Sequence, residues 1–381
     1  MKPYKLFILL FCVVFFFTDT HAQHRFSHPS NDPNWELVWE ENFNGDSINT
    51  AKWDFSPDWG NCASGSVIST NQNNHVVSNG IVSLITKRDT STCLMWEDTI
   101  SPTYYNKFYS SGCLYSKKAF KYGFFEIKSK FPVVNRQFGA KGMSPCFWLH
   151  PVKHWFNPMT QYSEIDVCEV RGLNNNHTCN VHYSDLIHQS YYTYETIGSN
   201  IGDSSFHPGW SLRTSGDTIY DFPVNDGAFH TYSAEWNYQA VSIYFDNMFI
   251  RKASNNSIFH AYNLLPLNIM ITNVANSDNF CDMINSRTRL PYYYDIDYVR
   301  VYQLICDTST VVYNIPNFNT YTYGVKKSIT LTSATTLPAN QSIYLRAKNF
   351  IKLQGGFEVP LGTSLYLITC ICGDGIIQDE N

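Results

Sequence analysis

The chain has 381 residues; at about 150 residues per domain, that length predicts two or three domains. A hydrophobic fraction of 44% supports a full core, while charged residues make up only 15% and aromatic residues 16%. The net charge of −5 excludes a basic nucleic-acid-binding arm, and the sparse charge excludes a coiled coil, but binding to a neutral polymer stays open.

The chain begins with Lys2 and Lys5, followed by an apolar run from Leu6 to Phe17 and then Thr20-His21-Ala22. That run is too short to span a bilayer comfortably, which takes about 20 apolar residues, and a single membrane anchor is the alternative reading. The pattern predicts a cleaved secretory signal over residues 1–22. The protein is then secreted, periplasmic or displayed at the cell surface, with no membrane-spanning segment after signal removal. Of eleven cysteines, ten lie beyond Cys12, an even number that permits disulfides in an exported chain. Cys146 and Cys168 fall inside apolar strand-like runs, where buried thiols and bridges are equally compatible.

Helical periodicity is nearly absent. Strand-like runs bounded by Asn, Gly, Ser and Asp take its place. In chain order they are 81–85, 123–130, 144–149, 163–170, 241–245, 268–274 and 295–302. Many short strands with frequent turns predict an all-β sandwich. After Tyr302 the texture changes. Short strands are expected at 328–332, 342–345, 350–353, 357–360 and 364–367, about eight residues apart, with turns at Gly355-Gly356 and Leu361-Gly362. The predicted division is a signal over 1–22, a catalytic sandwich over 23–303, and a linker with a small β domain over 304–381.

The segment that carries chemistry is Ser163-Glu164-Ile165-Asp166-Val167-Cys168-Glu169-Val170. On a regular strand Glu164 and Asp166 share a face, and Glu169 points the other way. One β-bulge between Asp166 and Glu169 returns Glu169 to that face. Three carboxyls then line one cleft. Crowded like charges raise at least one pKa, which suits a general acid. A retaining glycosidase needs two carboxyls about 5–5.5 Å apart. Four strand steps span about 13 Å, so two long Glu side chains must lean together, with Asp166 between them. A solvated acidic face or a Ca²⁺ site would also place acids this densely.

Glu164-Ile165-Asp166-Val167-Cys168-Glu169 matches the ExDxxE signature of glycoside hydrolase family 16 in its bulged form. The resemblance extends to Trp35–Trp39 with Phe43–Asp46, to Tyr122–Ile127, to Phe147-Trp148-Leu149, to Phe229–Trp236 and to Asp297–Tyr302, in the family's order. It covers residues 33–303 and implies a concanavalin A-like jelly-roll with a retaining mechanism. Carried over, Glu164 is the nucleophile, Glu169 the acid and then the base, and Asp166 tunes the pair. Where many laminarinases read WPAFW, this chain reads Ser144-Pro145-Cys146-Phe147-Trp148, and an insertion-like stretch, 150–162, precedes the motif. These departures bear on sugar specificity, not on mechanism.

Sugar rings stack on aromatic faces. Trp59, Trp148, Trp155 and Tyr183 are the candidates, with His182 as a hydrogen-bonding neighbour; each also fits a core or structural role. The resemblance implies no cofactor for catalysis. It implies a structural Ca²⁺ held by Asn42, Gly80 and Asp297, since hard oxygen ligands suit that ion. The C-terminal unit, through 350–354 and 356–360, resembles coat-hanger-stack modules appended to secreted bacterial proteins. The expected activity is a secreted, endo-acting, monomeric hydrolase of a β-linked polysaccharide, with β-1,3-glucan first. The alternatives are a β-galactan hydrolase, a transglycosylase, and a non-catalytic glycan-binding sandwich.

Overall fold

The computed structural model describes residues 28–33, 35–57, 60–63, 65–96, 102–132, 141–151, 161–171, 176–185, 195–197, 226–237, 240–254, 266–275, 284, 288–304, 309–314, 325–369 and 376–377. The predicted signal, Trp59 and Trp155 lie outside them. Among the described residues no helix is long and apolar enough to cross a membrane.

The protein is all-β. The chain opens with β1 (Trp35–Glu41), β2 (Trp53–Asp54), β3 (Val67–Ile68) and β4 (His75–Ser78). It continues with β5 (Ile81–Trp96), β6 (Pro102–Ser111), β7 (Cys113–Phe120) and β8 (Gly123–Lys130). The next strands are β9 (Met143–His150), β10 (Gln161–Arg171), β11 (Asn176–Asp185) and β12 (Glu195–Ile197). The sandwich is completed by β13 (His230–Trp236), β14 (Ala240–Phe245), β15 (Met248–Ser254), β16 (Leu267–Ala275) and β17 (Tyr292–Leu304). The last strands are β18 (Thr310–Asn314), β19 (Val325–Thr336), β20 (Ser342–Leu353), β21 (Ser364–Thr369) and β22 (Ile376–Ile377). All seven strand-like runs read from the sequence lie within these strands.

Two sheets, antiparallel except where β3 lies parallel to β6, make the jelly-roll. The first runs β15-β14-β13-β8-β17-β5-β6-β3, with β1 on β17 and β4 on β5. The second runs β12-β11-β10-β9-β16-β7-β2, with β22 on β7. Period-two alternation turns one face of each sheet inward. Phe125 and Ile127 of β8, Val299 and Val301 of β17, Phe147 and Leu149 of β9, and Ile269 and Ile271 of β16 share one core. Each such side chain contributes about 1.5–3 kcal/mol on burial. Phe131 and Tyr294 stack across the core with centroids 4.9 Å apart.

The outward face of the first sheet carries a small apolar cluster, Phe124, Tyr244 and Tyr302 with Trp35, beside paired polar groups. Glu126, almost fully buried, accepts from the Tyr298 hydroxyl at 3.0 Å and lies 3.1 Å from His28 Nε2. Cys62 is bonded to Cys93, tying the segment before β3 to β5. Cys113, Cys146, Cys168 and Cys179 are buried cysteines outside the bridge.

The third sheet, β18-β19-β20-β21, is parallel throughout. Parallel neighbours ordinarily need a crossover of a dozen or more residues. Here β20 begins only six positions after β19 ends, so the chain coils instead. The long strands bend. Arg346–Leu353 of β20 pairs back onto β19, and Ser342–Ala347 pairs forward onto β21. Ile329 lies opposite Ile351, and Ile343 opposite Leu365, each offset by 22 residues. The sequence carries that period: Leu-Pro at 337–338 recurs as Val-Pro at 359–360, and Ser342-Ile343-Tyr344-Leu345 recurs as Ser364-Leu365-Tyr366-Leu367. Strands spaced every eight residues are therefore the wrong reading. Residues 342–353 form one strand, and 357–360 form none. Val312, Ile329, Leu331, Leu337, Ile343 and Leu345 give the coil its own core.

Candidate active site

The acids sit on β10, in the interior of the second sheet. Ile165, Val167, Cys168 and Val170 all belong to the sandwich core. Two consecutive residues, Val167 and Cys168, face inward, and that is the signature of a bulge. The register slips at the same place, between Asp166 and Cys168 against β9 and between Asp166 and Glu169 against β11. Glu164, Asp166 and Glu169 are therefore all turned away from the core. Asp166 is buried, while Glu164 and Glu169 are half-buried. Burial pushes the Cys168 thiol well up, so it stays a protonated, inert core residue.

Cross-strand register sets each acid in a row. Asp166 lies between Trp148 of β9 and Asn180 of β11, with Met270 of β16 beyond Trp148. Glu169 lies between Cys146 and Thr178, with Thr272 beyond Cys146. Glu164 lies opposite His182, and Tyr183 is opposite Ser163. One step on from the Ile165–Leu149 pair, the other neighbour of Glu164 is His150, itself paired with Asn268. Direct neighbours have Cβ atoms about 4.5–5.5 Å apart.

Trp148 is not beneath the catalytic strand. It stands on the acid side, half-buried, in a small apolar cluster with Met270, Tyr115, Cys113 and Ile68. Its ring lies 5.6 Å from that of His150. Ile68 reaches this floor because the segment before β3 docks on the end of β16: Gly65 N–H donates to the Ala275 carbonyl at 2.8 Å. The Cys62–Cys93 bridge fixes the same segment.

His150 was missed in the sequence. It is fully buried, and burial lowers its pKa to about 3, so a neutral imidazole flanks Glu164. The signal was present: His150 lies two positions after Trp148 and so shares its face. Asn268 and Thr272 could not have been found that way, because β16 joins the site from a hundred residues downstream.

By register the three residues of the expected calcium set are neighbours, Asn42 following the Glu41–Val299 pair and Gly80 lying two positions from the Val82–Ile296 pair. A Cβ built on Gly80 would stand 3.9 Å from the Asn42 carbonyl oxygen, so those two are close. The Asp297 carboxylate is committed elsewhere, in an ion pair with Lys128 Nζ at 2.8 Å. A dication there would compete with that ammonium for the one carboxylate of the set. Among the described residues no group of three or more His, Cys, Asp or Glu could hold a metal.

The family model for glycosyl hydrolases family 16 matches residues 64–299, more than half of the chain. The chain belongs to glycosyl hydrolases family 16. Among curated relatives, a glucan endo-1,3-beta-glucosidase A1 of Niallia circulans is 25% identical over 295 residues, 70% of this chain and 38% of that protein. An endo-1,3-1,4-beta-glycanase of Rhizobium meliloti is 28% identical over 52% of this chain and 34% of its own length. The chain thus spans little more than a third of the length of those relatives. A kappa-carrageenase of Pseudoalteromonas carrageenovora is 24% identical over 54% of this chain and 48% of its own. The fold is shared with LamAcat from Zobellia galactanivorans (TM-score 0.52, 23% identity, 72% of this chain and 100% of that one). It is shared equally with the carrageenase structure (TM-score 0.53, 21% identity, 72% and 98%).

Proposed function

We propose that this family 16 protein is an exported, endo-acting, retaining glycosidase whose nucleophile is Glu164 and whose acid/base is Glu169. The observation that carries the reading is the bulge at Val167-Cys168, which brings both glutamates to one face with Asp166 between them. Glu164 attacks the anomeric carbon while Glu169 protonates the departing glycosidic oxygen. The glycosyl-enzyme ester is then opened by a water that Glu169 deprotonates, and configuration is retained. Asp166, buried between the two, acts as a positioning residue. Trp148 offers the sugar an aromatic face, His182 and Tyr183 border Glu164 by register, and Trp59 and Trp155 remain expectations for the outer subsites.

β-1,3-glucan is the substrate we favour. The two strands bordering β10 on its β9 side, β9 and β16, contain no Lys, Arg, Asp or Glu, so the floor beside the acids suits a neutral polymer better than a sulfated one. Two relatives bear names of β-1,3-active enzymes, and the carrageenase keeps a galactan as the second reading. Catalysis in this proposal needs no cofactor.

The experiment is a polysaccharide panel of laminarin, mixed-linkage glucan, agar, porphyran and carrageenan, scored by new reducing ends. Laminarin should be cut, Glu164→Ser should be inactive, and Glu169→Gln should fall by about 10²–10⁴-fold. Anomeric inversion in the products would remove Glu164 from its role. Binding without turnover on every polymer would leave a glycan-binding sandwich. A chelator should leave the melting temperature unchanged; a calcium-dependent rise would restore the ion at Asn42, Gly80 and Asp297.

A further inference from the structure

The last turn of the parallel coil leaves apolar side chains exposed. Its 22-residue period lets equivalent positions be compared directly. In the inner coil Leu331, Leu337 and Leu345 are 0%, 4% and 0% exposed. Their counterparts in the last coil, Leu353, Val359 and Leu367, are 47%, 44% and 40% exposed. Identical repeat chemistry is core in one coil and surface in the next. Phe350 adds to the display, standing half-exposed where the inner coil has the buried Ser328.

A coil stack needs a polar cap or a partner at its ends. Edge strands elsewhere are blunted by charge, proline or a bulge. β21, Ser364-Leu365-Tyr366-Leu367-Ile368-Thr369, has no charge and no proline, and its pairing with β20 runs without a register shift. Of the residues beyond it, the two described, Ile376 and Ile377, are engaged on β7, opposite Ala119 and Lys118.

We propose that the coil 347–368 docks onto the same coil of a second copy of this chain. The occupant follows from the stack itself. Each covered coil is covered by another copy of the same repeat, with Ile over Ile, Leu over Leu and Tyr beside Tyr. A second molecule's last coil is a surface of that same composition. Two identical ends meet about a twofold axis, with the β21 edges pairing antiparallel and Leu353, Val359 and Leu367 of both copies forming one core. The arrangement is closed, so it stops at two. It replaces the monomer expected from sequence, and it is independent of the catalytic reading.

Sedimentation equilibrium on the purified chain tests this. The expected result is a concentration-dependent doubling of mass in the micromolar range, lost in Leu367→Glu and in Leu353→Lys. Both positions are exposed, so each variant should keep the wild-type circular dichroism melt; if one does not, the other carries the test. A wild-type mass that stays single overturns the proposal. So does a dimer that persists in both variants. An open series of larger species would overturn the twofold pairing in favour of head-to-tail stacking.

Discussion

Gly112, between β6 and β7, shows how tightly single residues are constrained near the site. A Cβ there would lie 2.3 Å from the Asn74 carbonyl oxygen and 3.1 Å from Ile85 N, both backbone atoms that cannot swing aside. Gly112→Ala should destabilise by about 3 kcal/mol, read from a urea midpoint. Two buried histidines set the acid response. His75, bonded through Nε2 to the Cys113 carbonyl at 2.9 Å, has its pKa lowered to about 4 by burial, and His150 to about 3. Both values lie below the unfolded 6.5, so the unfolded chain binds the protons first. Their stabilisation is complete above pH 6.5 and is lost as pH falls towards 4, by on the order of 3 kcal/mol for His75. Thermal melts from pH 7 to pH 4 should fall steeply, and less so in His75→Gln. At this scale the sequence was most legible for Glu164, Asp166 and Glu169. Alternation and one bulge are local rules, and eight residues sufficed to apply them. His150 obeyed the same rule from Trp148 and was still overlooked.

At the scale of the strand, the bulge in β10 behaves as a frame. Removing Val167 would restore strict alternation with Glu169 still on the acid face, but it would remove the bulge that sets the twist between the two glutamates. That variant should keep the fold and lose turnover, because the bulge also fixes the spacing and aim of the two glutamates. A Val167→Ala variant keeps the bulge and should retain activity at a cost of about 1–3 kcal/mol, a contrast measurable by paired activity and melting assays. Strand identity was readable for the sandwich because each strand alternates or runs apolar. The third sheet was readable only as β-rich. A period of eight was inferred from turn residues, whereas the true period of 22 lies in the recurrence of Pro followed by Ser-x-Tyr-Leu. Turn signals mark bends within a coil as well as ends of strands, and on their own cannot separate the two.

At the scale of the whole molecule, one bridge and four buried cysteines outside it coexist among the described residues. The Cys62–Cys93 bridge closes a separation of 31 residues, which in the chain-entropy view stabilises by about 3–4 kcal/mol. A double Cys→Ser variant at these positions should melt several degrees lower, and should loosen Ile68 from the floor beside Trp148, raising KM more than it lowers kcat. Neither the pairing nor the contact could be read in advance, since both depend on where β3 and β5 meet in space. The coil has a different kind of consequence. Each turn of 22 residues adds one strand spacing, about 4.8 Å, and leaves its neighbours' contacts unchanged. Tandem duplication of one turn would be an in-frame change that lengthens the module without a new core to invent. Its length is therefore a quantity that copy number can adjust, in steps far finer than whole domains allow.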